Sequence, residues 1–295
     1  MPERGVHRTP RRVVRADGVE LCVQTFGDRA APAVLLIAGL SSSMDWWEEG
    51  FCERLAAGPR FVIRYDHRDT GQSVTSEPGD PHYSGSDLVA DAVGLLDTLR
   101  ISRAHVVGIS AGGGIGQHLA LDHPARVASL TLISTSPLGP RQPGSRDLPP
   151  MTEELAAVFA APPPRPDWSD RAAVIAYIVD DLRPYAGTFP FDEEASRELA
   201  GSIFDRTADI ESSFTNHWVL DEGEPPRRRL DELTAPTLVL HGTEDPFFPF
   251  AHGEALADAI PGAQLVPLEG VGHEMPPRPV WDDVVAAILH HTATG

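Results

Sequence analysis

Short apolar runs recur along this chain at intervals that leave room for a helix between them, and this alternation constrains the fold more than any other feature. The runs are 33–38 (AVLLIA), 61–65 (FVIRY), 104–109 (AHVVGI), 128–133 (ASLTLI), 237–241 (TLVLH) and 263–268 (AQLVPL). Such lengths, with β-branched residues and little charge, predict strands buried on both faces of a parallel sheet. Between them, 87–99 carries Leu88, Ala92, Leu95, Leu96 and Leu99 on one helical stripe, and 112–121, 251–260 and 280–290 have similar spacing. Strands alternating with amphipathic helices mean a wound α/β sheet. Ahead of it, 11–16 and 20–26 flank Asp17-Gly18, which reads as an antiparallel hairpin.

One stretch breaks the alternation. Nine prolines fall between Pro137 and Pro166, helix-like segments follow near 169–182, 192–204 and 209–219, and no strand-like run returns before Thr237. The expected organisation is a core of 1–136 and 230–295 with a helical cap inserted at 137–229, its entry and exit stiffened by proline.

Composition excludes several chemistries. With 43 acidic and 24 basic residues the net charge is −19, so the average surface repels nucleic acid and anionic membranes. Every basic residue is Arg. Without a lysine amine there is no Schiff base, no pyridoxal lysine and no Walker A phosphate loop. The apolar run 33–40 falls far short of the roughly 20 residues of a membrane helix. Cys22 and Cys52 lack metal-ligand spacing and read as packed thiols, and a cytoplasmic location is expected.

Gly108-Ile109-Ser110-Ala111-Gly112 sits where an apolar run ends and a helical segment begins. In that strand–turn–helix setting G-x-S-x-G lifts a serine hydroxyl above a sheet, and the helix N-terminus favours developing negative charge. A serine needs a base, and the base needs an orienting acid. His273 follows the last strand-like run within Gly270-Val271-Gly272-His273, and Asp245 follows the run ending at His241, with Glu244 as the rival acid. Two backbone amides would hold the oxyanion: Ala111, directly after the serine, and Leu40, in the turn after 33–38. The order Ser110, Asp245, His273 matches neither chymotrypsin nor subtilisin; it is that of the α/β-hydrolases.

On these residues the chain resembles the α/β-hydrolase superfamily over 10–136 and 230–295. Tyr65-Asp66-His67-Arg68-Asp69-Thr70-Gly71-Gln72-Ser73 is similar to that family's D-x-R-x-x-G-x-S segment, which implies scaffold roles for Asp66 and Arg68. FVIRYDHRDTGQS, RAHVVGIS and APTLVLHGTEDPFFPFAHGEALADAIPGAQLVPLEGVGHEMP look most like aclacinomycin methylesterase and related polyketide esterases. That group usually has Met after the nucleophile and a second Gly in the early turn, where this chain has Ala111 and Leu40. The resemblance implies an α/β-hydrolase fold with a mostly parallel sheet, and a serine esterase acting on a bulky polyketide methyl ester or macrolactone. The many aromatics of the insertion suit such a substrate, and Trp218 and Phe214 are the expected contacts. Ser110 argues against epoxide hydrolases and dehalogenases, whose nucleophile is a carboxylate. Carbon–carbon bond hydrolysis, acyl transfer, aminopeptidase activity and a non-catalytic binding role stay open. The expected partner is a small-molecule ester, with no cofactor, no metal, no nucleic acid and no membrane, and an unspecified oligomeric state.

Overall fold

The computed structural model describes residues 6–139 and 147–293. Pro140 and Pro143 of the proline-rich entry lie outside the described residues. The hairpin forms as expected: β1 (Arg12–Ala16) pairs antiparallel with β2 (Val19–Phe26) from Arg12↔Val23 to Ala16↔Val19. Its two turn residues take φ 46° at Asp17 and 89° at Gly18, the left-handed pair that a tight two-residue turn requires.

β3 (Ala33–Ile37), β4 (Phe61–Tyr65), β5 (Ala104–Ile109), β6 (Val127–Ile133) and β7 (Thr237–Gly242) are buried at every position. β8 (Gln264–Leu268) completes an eight-stranded sheet in the order β1-β2-β4-β3-β5-β6-β7-β8. Neighbours from β4 to β8 run parallel, while β2 joins β4 antiparallel. One expectation needs correction. β8 is mostly exposed, with only Leu268 buried, because it closes the sheet and has a single partner strand. Pro267, which lacks an N–H, is tolerated on such an edge.

α2 (Gly85–Thr98), α3 (Ala111–Asp122) and α8 (Ala251–Ala259) cover one face, burying Leu88, Leu95, Leu119 and Leu256. α1 (Glu49–Ala57) and α9 (Trp281–His291) cover the other with Phe51, Leu55, Val284 and Ile288. The helical-stripe reading omits α1, whose buried Phe51, Cys52, Leu55 and Ala56 are interrupted by the charged pair Glu53-Arg54.

Between β6 and β7 lie α4 (Glu153–Ala160), α5 (Arg171–Leu182), α6 (Glu193–Arg206) and α7 (Ile210–Thr215), followed by a 3-10 turn at Asn216–Trp218. α4 falls inside the proline-rich stretch, ahead of the first helix-like segment expected near 169–182. Each of these helices opens on a capping side chain, Thr152, Asp170, Asp192 or Asp209, which satisfies a first-turn amide. They bury a small core of their own, centred on Val174, Ile178, Val179 and Ile203. Among the described residues no helix is long and apolar enough to cross a membrane.

Candidate active site

Ser110 stands between β5 and α3 with φ 52° and ψ −122°, a conformation that non-glycine residues adopt only when their surroundings enforce it. Glycine on both sides is a steric necessity. A Cβ on Gly108 would lie 2.2 Å from the Gly112 carbonyl oxygen, and one on Gly112 would lie 2.4 Å from the Ile37 and Ala38 oxygens. The turn therefore seats the start of α3 against the end of β3. The Ser110 amide donates to Ile133 O at 3.0 Å, and its carbonyl accepts from Thr135 Oγ1 at 2.8 Å.

Asp245, 3% exposed, lies in the loop after β7. One carboxylate oxygen accepts from the Phe247 and Phe248 amides at 2.9 and 2.8 Å, and the other faces His273 Nδ1 at 2.9 Å. His273 Nε2 is 2.9 Å from Ser110 Oγ. A carboxylate only accepts, so Nδ1 carries the proton and donates it to Asp245, which leaves Nε2 to accept from the Ser110 hydroxyl. The structure thus brings together the three side chains singled out in the sequence, in an arrangement able to draw a proton from the serine. Glu244 is exposed and its amide donates to Val271 O. His241, buried beside Asp245 at 3.6 Å, bonds Phe248 O at 2.7 Å, and burial lowers its pKa.

Ala111 is the first residue of α3, where an amide has no intrahelical acceptor. Leu40 lies in a turn closed by Ser42 N donating to Gly39 O at 3.3 Å. That turn abuts the nucleophile, since a Cβ on Gly39 would lie 3.5 Å from the Ser110 Cβ.

Phe214 and Trp218 part company. Phe214 stacks on Trp168 at 5.9 Å and meets Tyr177 edge-on, within the core of the inserted helices. Trp218 is 52% exposed and sits in the 3-10 turn, outside the helix to which the sequence reading assigned it. Its ring touches Phe159 at 5.8 Å, Phe159 touches Phe247 at 5.9 Å, and Phe247 lies 5.0 Å from the His273 ring. Phe248 and Tyr185 also flank His273, at 5.4 and 6.1 Å. Sequence reasoning missed Phe247, Phe248 and Tyr185 as neighbours of the base. For the two phenylalanines the signal was available, because they follow Asp245-Pro246 directly.

Asp66 accepts from the Met44 and Gln72 amides at 2.8 and 3.0 Å and from Arg206 of α6. Arg206 also bonds Asp45. Burial lowers the Arg206 pKa, but the two carboxylates outweigh it and hold the guanidinium charged. Arg68 makes a bidentate pair with Asp91, both bonds 2.7 Å.

A family description, alpha/beta hydrolase fold, matches residues 32–276. The chain is 34% identical over 298 residues to rhodomycin D methylesterase DauP of a Streptomyces species, covering 96% of this chain and 98% of that protein. Against rhodomycin D methylesterase DnrP of Streptomyces peucetius it is 34% identical over 300 residues, with the same two coverages. Among solved structures, a hydrolase from Pseudomonas aeruginosa superposes with a TM-score of 0.70 at 25% identity, covering 95% of this chain and 97% of that one. The enol-lactonase from Burkholderia xenovorans shares the fold, with a TM-score of 0.71 at 24% identity over 96% of this chain and 100% of the other. The likeness to polyketide methylesterases read from three segments thus extends along nearly the whole sequence. With the matched family, the elbow and the sheet order in agreement, the chain belongs to the α/β-hydrolase fold family.

Proposed function

We propose that the chain is a serine carboxylic ester hydrolase whose substrate is a methyl ester on a flat, polycyclic polyketide. Ser110 Oγ attacks the ester carbonyl while His273 Nε2 takes its proton. The resulting oxyanion is held by the Ala111 and Leu40 amides. Collapse expels the alcohol, methanol for a methyl ester, protonated by His273. A water activated by the same imidazole then hydrolyses the acyl-enzyme, releasing the acid and restoring Ser110. Asp245 keeps the imidazole in the required tautomer throughout.

The observation that carries this reading is the unbroken hydrogen-bond chain from Asp245 through His273 to a serine held at positive φ. The substrate half rests on the row of rings from His273 through Phe247 and Phe159 to Trp218, and on the names of the two Streptomyces relatives. Aromatic rings in a row suit stacking on a planar scaffold. The inserted segment 137–229 serves as the cap and contributes Phe159 and Trp218 to that row, over a core of 1–136 and 230–295 that contributes Phe247 and His273.

The test is turnover of an anthracycline-type methyl ester, followed by mass spectrometry of the acid, alongside fluorophosphonate labelling. Ser110→Ala should lose labelling and lower kcat by about 10⁴ or more. Unchanged turnover in that variant would overturn the nucleophile. Labelled Ser110 with no polyketide ester cleaved would overturn the substrate and leave the hydrolase.

A further inference from the structure

His217 lies outside the Asp245–His273–Ser110 chain, and with Asn216 it is buried in a segment whose next two residues are exposed. Asn216 and His217 are 0% and 5% exposed, whereas Trp218 and Val219, next in sequence, are 52% and 58% exposed. The Ser41 amide donates to His217 Nδ1 at 2.9 Å, and His217 Nε2 lies 2.9 Å from Arg68 O. An amide only donates and a carbonyl only accepts, so the ring is the neutral tautomer with its proton on Nε2. Burial, with His67 alongside at 6.0 Å between ring centres, lowers the His217 pKa to about 4, which keeps Nδ1 free to accept at neutral pH.

The amide it holds belongs to the Gly39–Ser42 turn. Ser41 occupies the third position with φ 56°, where a type II turn ordinarily carries glycine. For serine this geometry is strained, and rotation of the middle peptide, between Leu40 and Ser41, would relieve it. That rotation would point the Ser41 N–H away from His217. The histidine bond therefore selects the strained orientation, and the preceding residue, Leu40, bears the amide assigned to the oxyanion, in the adjoining Gly39–Leu40 peptide. Asn216 anchors the histidine's own segment: its Nδ2 donates to Asp69 Oδ2 at 2.9 Å and Glu77 O at 3.1 Å, and its Oδ1 accepts from Gly79 N at 2.6 Å.

We infer that His217 is a positioning residue for the oxyanion-binding turn, holding the Leu40–Ser41 peptide through Nδ1. This role rests on the serine-hydrolase reading above.

Asparagine places Oδ1 where Nδ1 stands and keeps the acceptor for Ser41. Glutamine reproduces the Nε2 donor but not the acceptor, and leucine supplies neither. His217→Asn should keep kcat within about threefold, whereas His217→Gln and His217→Leu should lose about 10- to 100-fold in kcat at little change in KM. Affinity for a trifluoromethyl ketone, which fills the oxyanion site when Ser110 adds to it, should fall in step with kcat. A packing role predicts the reverse order, since asparagine leaves the larger void. His217→Gln at wild-type rate, or His217→Asn as slow as His217→Leu, would overturn the inference. A second readout needs neither turnover nor a variant: nitrogen NMR of the wild-type protein should show His217 protonated on Nε2, with the Ser41 amide protected from exchange. A proton on Nδ1, or a rapidly exchanging Ser41 amide, would overturn the inference even in an active enzyme. Absence of ester turnover and of fluorophosphonate labelling, with the tautomer and the protected amide as expected, would overturn the hydrolase reading and with it the oxyanion role.

Discussion

Replacing Asp245 with asparagine tests the proton relay without disturbing its shape, because the two side chains are isosteric. The structure dictates how the new amide must lie. One oxygen of Asp245 accepts from the Phe247 and Phe248 amides, at 2.9 and 2.8 Å. Turning an NH₂ group toward them would break two buried hydrogen bonds and set donor against donors, at about 1–3 kcal/mol for each unsatisfied group. The asparagine oxygen therefore stays on the two amides, and its NH₂ faces His273 Nδ1. That nitrogen must now accept, so the imidazole proton moves to Nε2, opposite Ser110 Oγ, where a base is needed. Rings at 5.0, 5.4 and 6.1 Å hem His273 in on several sides and oppose a flip that would exchange its nitrogens. The expected loss in kcat is about 10⁴, or about 5.5 kcal/mol of barrier, with little change in Tm. Initial rates on p-nitrophenyl butyrate and on a polyketide methyl ester, beside thermal melts, would measure both. Glu244→Gln, at an exposed position, should turn over like the wild type. An Asp245→Asn enzyme within tenfold of wild type would refute the reasoning, and a large loss in Glu244→Gln instead would move the acid role there.

Three further outcomes are expected. Arg206→Met should destabilise the protein by about 3–5 kcal/mol, lowering Tm by roughly 5–8 °C, because it takes the shared guanidinium from two buried aspartates, of which Asp45 keeps Arg11 at 3.3 Å; the Arg206, Asp45 and Asp66 side chains are only 7%, 4% and 0% exposed, and a urea-melt loss below about 1 kcal/mol would contradict the clamp. Burial lowers the pKa of His67 and of His217 to about 4 in the folded state, against about 6.5 unfolded, so the unfolded chain binds protons that the native state refuses; their contribution is complete above about pH 6.5 and is lost as pH falls toward 4. A urea midpoint that rises on acidification from about pH 7.5 to 5 would contradict this sign. Trp218→Ala and Phe159→Ala should each raise KM about 2- to 10-fold for a polycyclic ester and leave p-nitrophenyl acetate unaffected; equal effects on both substrates would show that the ring row is structural.

Legibility in the sequence followed the range of the interactions involved. β3, β5 and β6 were readable because complete burial demands unbroken apolar runs, and that demand is local. β8 was misjudged because AQLVPL meets the same local test, while its exposure depends on its place at the end of the sheet order. Ser110, Asp245 and His273 could be picked out because each follows a readable strand, so chain order stood in for proximity. The aromatic surroundings of His273 could not, since they draw on α4, on the 3-10 turn after α5 that carries Tyr185, and on the loop after β7. Nothing in 137–229 marks which of its many rings turn toward the base.

The run from Phe214 to Trp218 shows most sharply where periodicity stops being informative. Phe214 enters the core of the inserted helices, Asn216 and His217 enter the main body, and Trp218 turns outward. Hydrophobicity alone would bury the tryptophan and expose the asparagine and histidine. The observed order is the reverse because both polar side chains meet matching partners there: Asn216 finds a carboxylate, a carbonyl and an amide, and His217 finds an amide and a carbonyl. Those partners lie 137 to 176 residues away in sequence. A buried polar group without such partners is costly, so the burial of this segment depends on the groups that Ser41, Arg68, Asp69, Glu77 and Gly79 present to it. The tryptophan's exposure follows from that docking: with its two predecessors committed inward, the 3-10 turn directs residue 218 toward Phe159. The feature that drew notice in the sequence, an aromatic near the return to the sheet, is thus a consequence of the two polar residues before it. His217 ties the inserted helices to the turn beside Ser110, and Asn216 ties them to Asp69, Glu77 and Gly79.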